Sequence, residues 1–236
     1  MQARIGQWNE MGQSLSDSRG RWQDPLLTVL TVLLALLMFV LAPLRAEHIP
    51  GIQELGFALV ALVTGAVLIL SGRPVAIGAL LLAIILAAVA AIHRLQHPSN
   101  LDVYLDATAW LLLSLALILE VGRATFGPGR VTYHRVMGAI LLYFAMGLAF
   151  AALFAFIGVA SDKAFSGFVV KDSPNLTDVM IYFSFGVLTG IGSGDIVALH
   201  PIARSLTLVE AMIGQLYPAT LLARIVTLEI EDRRQP

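Results

Sequence analysis

The chain has 236 residues, 58% hydrophobic and 13% charged, where an ordinary soluble domain has roughly 25% charged residues. Such a composition cannot cover one water-facing globule. The net charge of -1 speaks against a nucleic-acid partner, and the lack of cysteine excludes a disulfide framework and thiolate metal sites.

Residues 1–24 are polar and show no secretory-signal pattern. They are expected to form a cytoplasmic N-terminal tail, in which Ile5, Trp8, Met11 and Leu15 at helical spacing outline either an interfacial helix or a frayed end. Beyond them the apolar residues fall in blocks of about 18 to 25, the length that crosses ~30 Å of hydrocarbon. Six spans are predicted: about Pro25 to Leu44, Gln53 to Leu70, Val75 to Ile92, Val103 to Val121, Tyr133 to Val159, and Ile202 to Ile230. Gly72, Arg73 and Pro74 break the second from the third, and a Gly- and Arg-rich stretch, 122–131, separates the fourth from the fifth. With the N-terminus inside, ten of the 15 basic residues fall on the cytoplasmic side, the bias that orients membrane proteins. An even number of spans then puts both termini in the cytoplasm.

Residues 25–122 are expected to form a four-helix peripheral bundle. Its last span has no arginine between Val103 and Val121, and Asp106 is the only charge before Glu120. A helix that senses voltage needs several arginines, so this one is expected not to. Asp102 and Asp106 lie four apart near its outer end, with His93 and His97 just before. That cluster suits a divalent cation or a proton, and a solvated helix end is the simpler reading.

The chemistry concentrates between the last two spans, in Tyr182-Phe183-Ser184-Phe185-Gly186-Val187-Leu188-Thr189-Gly190-Ile191-Gly192-Ser193-Gly194-Asp195. An apolar run of about ten residues, too short to span, is followed by three alternate glycines. Non-helical backbone at membrane depth is tolerated where protein buries it or where it lines a water path. The pattern therefore predicts a re-entrant loop. Ser173 as N-cap and Pro174 at the first helical position would start a short helix running to about Leu188. Its C-terminal end, pointing into the membrane, would stabilise a cation. Glycine opens backbone angles closed to other residues, so the carbonyls from Gly190 to Gly194 are free to face one axis, where rings of them replace an ion's hydration shell. A nucleotide-binding reading of the glycines lacks the preceding strand it requires.

This stretch resembles the pore signature of the potassium-channel superfamily, Thr-Val-Gly-Tyr-Gly-Asp preceded by a further threonine. Thr189 matches the preceding threonine, Gly192 and Gly194 the filter glycines, and Asp195 the aspartate; Ile191 stands for the usual valine. Gly190 replaces the first filter threonine and Ser193 the aromatic residue, which removes a ring of hydroxyls and an aromatic cuff. Arg204 and Gly214 fall where the family often has an arginine and a hinge glycine. The likeness covers about Tyr133 to Ile230. It implies an all-α membrane fold of six transmembrane helices plus a re-entrant pore helix and filter loop, with residues 130–232 as the pore domain. It also implies a homotetramer of three further copies in the plasma membrane, K+ or other monovalent cations such as Na+ in the filter, no other cofactor, and no enzymatic activity.

In that register Gln215 faces the cavity below the filter or bonds to a neighbouring helix, Gly214 with Pro218 forms a gate hinge or a static bend, and Glu210 braces the pore helix or is solvated near the outer end. The rival readings are a secondary transporter with a broken helix, which predicts an inverted repeat not seen in residues 25–130, and a non-conducting scaffold.

Overall fold

A computed structural model of the protein describes residues 27–41, 44, 73–97, 99–126, 133–161, 163–168, 170 and 176–234. The expected second span, the N-terminal tail and the expected cap at Ser173 and Pro174 lie outside these residues. A short apolar helix, α1, covers Leu27–Val40 and passes into a π-turn at Leu37–Leu41. Among the described residues four helices are long and apolar enough to cross a membrane: α2, Pro74–Gln96; α3, Asn100–Phe126; α4, Tyr133–Ala160; and, at the C-terminal end, α6, Pro201–Arg234. Helices α2, α3 and α6 run a few residues past the spans expected from hydropathy, because polar residues at the ends extend the backbone ladder outside the apolar stretch, and α4 ends one residue beyond its expected span.

Helices α2 and α3 form a hairpin. Pro74 sits at the start of α2, after an extended Arg73, as proline requires of the residue before it. The hairpin closes on itself at its tip. Asp102 has no exposed surface; its carboxylate accepts the Ser99 N–H at 2.9 Å and lies 2.8 Å from His93 Nδ1. Arg94 donates to Asp106 across the same gap at 2.5 Å. The solvated helix end expected for Asp102 is therefore corrected: it is a buried acceptor that joins the two helices. Among the described residues no group of three His, Asp or Glu is placed to hold a metal; His93 meets Asp102, Asp106 meets Arg94, and the backbone N–H of His97 donates to the His93 carbonyl.

Helix α4 is the centre of the fold, packing against α3, α5 and α6. Its buried face is rich in small residues, including Gly138, Ala145, Gly147, Ala151 and Gly158, which let neighbouring backbones approach. Of its most apolar window 61% is buried, against 22% for α2 and 11% for α6.

Two elements were not legible in the hydropathy. Phe165–Ser166 (β1) pairs antiparallel with Val197–Ala198 (β2), Phe165 opposite Ala198. The Ala164 carbonyl extends this ribbon by accepting from the N–H groups of Leu199 and His200. Beneath it Phe154, Phe165 and Phe183 meet edge-to-face with centroids 4.9 to 6.0 Å apart. The ribbon thus clamps the segments before and after α5, Leu176–Thr189.

Candidate functional site

Helix α5 has 14 residues, about 21 Å of rise, too short to cross a bilayer. It ends at Thr189, whose Oγ1 donates back to the Phe185 carbonyl at 2.6 Å. The next N–H, of Gly190, donates to the Val187 carbonyl at 3.0 Å. From there the backbone alternates. Gly190, Gly192 and Gly194 have φ of 76°, 76° and 69°, a left-handed region that costs an ordinary residue about 1–2 kcal/mol. The three glycines are where the chain needs them, with Ile191 and Ser193 between.

Four contacts hold this segment against its surroundings. Gly192 N–H donates to the Gly186 carbonyl at 2.8 Å, and a side chain at Gly186 would come within 3.2 Å of the Gly192 carbonyl carbon. The Tyr182 hydroxyl donates to the Ser193 carbonyl at 2.8 Å, so an aromatic residue from α5 reaches the filter-like segment although position 193 is not itself aromatic. Ser193 Oγ donates to the Ile196 carbonyl at 2.9 Å. At the outer end Gly167 backs directly onto the Asp195 carbonyl, which ties Asp195 to the β1 side of the ribbon. The opposite face is open: Ile191 is 86% exposed.

Helix α6 supports the inner end of α5. A Cβ at Gly214 would collide with the Leu188 carbonyl oxygen, and that oxygen also accepts from the Tyr143 hydroxyl at 2.9 Å. Tyr143 stacks on Tyr217 with centroids 5.9 Å apart, and Tyr217 donates to the Ala139 carbonyl at 2.8 Å. One turn further up α6, Glu210 has no exposed surface. Its Oε1 lies 2.5 Å from Ser184 Oγ, which is also 2.7 Å from the Gly147 carbonyl. The solvated position considered for Glu210 does not occur, because α4 and α5 cover it. Its Oε2 has no hydrogen-bond partner among the described residues. Gln215 follows Gly214 on the exposed side, its Nε2 2.9 Å from where a Cβ on Gly190 would be. The helix continues unbroken through Gly214 and Pro218, although Pro218 brings no N–H to the Gly214 carbonyl.

Residues 138–231 match the model of the family described as "Ion channel". The match supports an ion-channel type for this segment. No curated protein and no solved structure matches the chain.

The ion-channel segment begins within α4 and ends within α6, so it takes in α5, the alternating glycines and every contact just described, and leaves α2 and α3 outside. With four long apolar helices, the chain is a multi-pass membrane protein. Sequence reasoning brought Thr189 to Asp195, Glu210, Gly214, Gln215 and Pro218 to attention, and all lie on α5, α6 or the segment between them. It gave no role of their own to Tyr143, Tyr182, Ser184 and Tyr217. One signal for them was present in the ion-channel segment: hydroxyls inside otherwise apolar helices, each of which needs a partner in lipid.

Proposed function

We propose that the protein is a homotetrameric cation channel that conducts K+ passively through rings of carbonyl oxygens from Gly190 to Gly194. The observation that carries this reading is the alternation of left-handed glycines at 190, 192 and 194 at the end of a helix too short to span, within a segment that matches the ion-channel family. Backbone that alternates in hand turns successive carbonyls to one side, and oxygens so arranged replace the water an ion sheds. The carbonyl end of α5 adds a partial negative charge below them.

One chain brings one such segment, so closing a ring takes several copies around an axis. The face of α6 supports this. Leu208, Met212 and Leu216 stand four residues apart and are 67%, 63% and 58% exposed, and Ile191 between the filter glycines is exposed as well. In this reading residues 130–232 are the pore domain, α5 is a re-entrant pore helix, and residues 25–122 are a peripheral bundle. The protein sits in the plasma membrane with both termini cytoplasmic. Thr189 and Asp195 bound the filter at its inner and outer ends.

Reversal potentials of the purified protein in planar bilayers with K+ on one side and Na+ on the other test the reading. The wild type is expected to carry current with a reversal potential set by K+. A Cβ at Gly192 meets nothing within 4 Å, so Gly192→Ala changes only backbone preference and is expected to abolish current while the particle keeps its size. Saturable exchange without channel currents, or full conduction by Gly192→Ala, overturns the proposal.

A further inference from the structure

The carbonyls between Gly190 and Gly194 are not equally free to meet an ion. We infer that Tyr182 is a positioning residue that holds the Ser193 carbonyl out of the ion path, so that the segment has one coordinating ring fewer than its length allows and separates K+ from Na+ less sharply. The inference deepens the channel reading and rests on it.

Hydrogen bonds place the oxygen. A backbone carbonyl has two lone pairs, and at Ser193 both are occupied. The Tyr182 hydroxyl donates to it at 2.8 Å, and the Asp195 N–H donates to it at 2.7 Å. Among the described residues no donor meets the carbonyls of Gly190, Ile191, Gly192 or Gly194. The Asp195 carboxylate lies near the same hydroxyl, and the Ser193 oxygen is the acceptor that the hydroxyl meets at bonding distance.

The surroundings fix this arrangement. Ser193 Oγ donates to the Ile196 carbonyl at 2.9 Å, so residue 193 is tied down through its side chain as well. Before it, the Gly192 N–H is bonded to the Gly186 carbonyl at 2.8 Å, one turn along α5 from Tyr182. That contact sets the register between the helix and the segment. After it, Gly194 takes φ of 69°, and the chain turns back so that the Asp195 N–H reaches the Ser193 carbonyl.

The consequence follows from how such a pathway selects. Selection depends on the oxygens that replace an ion's hydration shell, by the number and field of those oxygens or by the fit of the cavity they line. An oxygen with both lone pairs engaged by donors adds little to that shell. Without the Tyr182 hydroxyl one lone pair is released, and the Ser193–Gly194 peptide can rotate toward the axis, since glycine on its far side accepts either hand.

Tyr182→Phe tests this, because it removes the hydroxyl and keeps the ring. In planar bilayers the variant is expected to raise the K+/Na+ permeability ratio roughly fivefold over wild type, the size of one ordinary hydrogen-bonding contact. A tyrosine that merely props the segment would give the reverse, so an unchanged or lower ratio overturns the inference. Infrared spectroscopy of the wild type decides the matter if the variant does not fold. With 13C placed at one carbonyl at a time by semisynthesis, the Gly192 band is expected to shift when K+ replaces a large organic cation, and the Ser193 band to stay. A K+-dependent shift at Ser193 overturns the inference and leaves conduction standing. A silent Gly192 band in a protein that carries no current overturns the channel reading, and the inference with it.

Discussion

The α2–α3 hairpin and the segment from α4 to α6 are both apolar helices, but they use their polar residues differently. In the hairpin the side-chain contacts between its two helices, from Asp102, His93, Arg94 and Asp106, all sit at one end, while Thr108 and Ser114 further along α3 bond back only to their own helix. In the ion-channel segment the side chains that reach other elements lie at intervals through the helices and bond to backbone there: Tyr143 to Leu188, Tyr182 to Ser193, Ser184 to Gly147, Tyr217 to Ala139. Regular helices satisfy their own backbone groups. A helix that stops inside a membrane, followed by irregular chain, leaves carbonyls and N–H groups that neighbours must satisfy. The difference in polar placement therefore marks where the backbone departs from the helix.

Substitutions sharpen this contrast. The largest effect is expected from Gly214→Leu, since even a Cβ would strike the Leu188 carbonyl. Overpacking of this kind typically costs 1–3 kcal/mol and more when backbone must move, so loss of the intact, monodisperse particle on size-exclusion chromatography is the expected result. A stable, conducting Gly214→Leu would show that α6 does not lean on the end of α5.

Glu210 comes next. Glu210→Ala removes the partner of Ser184 behind α5 and opens a cavity, with an expected loss of about 2–3 kcal/mol in thermal or denaturant stability. Glu210→Gln keeps the shape and an acceptor for the serine, and is expected to recover most of the loss. If the two variants are equally unstable, the negative charge rather than the hydrogen bond is what the site requires.

The smallest effect on conduction is expected at the hairpin. Asp102→Asn weakens the contacts to His93 and Ser99 and is expected to lower the melting temperature while leaving the K+/Na+ permeability ratio of surviving channels unchanged. A shift in that ratio would mean that the peripheral hairpin and the filter-like segment are not separable.

How much was legible before any coordinates follows from the same distinction. Hydropathy places α2, α3, α4 and α6 within a few residues, because burial in lipid is a property of composition over a turn-by-turn window. The alternate glycines at 190, 192 and 194 announce irregular backbone, because only glycine enters the left-handed region at small cost. Asp102 and Glu210 read as charged residues near helix ends, for which solvent is the ordinary environment. Their burial comes from other elements: α4 and α5, far along the chain, around Glu210, and the end of α2, across a short turn, against Asp102. The two-residue strands β1 and β2 carry no periodicity of their own and exist because each completes the other.

The sequence by itself determined that this is a membrane chain of long apolar helices with one interrupted, glycine-rich segment of ion-channel type, since lipid and backbone geometry act on each stretch alone. Only the tertiary structure decided what holds that segment: which hydroxyl meets which carbonyl, that Gly214 is small so that α6 can touch Leu188, and that Gln215 stands beside Gly190. Those are contacts between residues distant in sequence, set to within about an ångström by side-chain packing, and no local pattern encodes them.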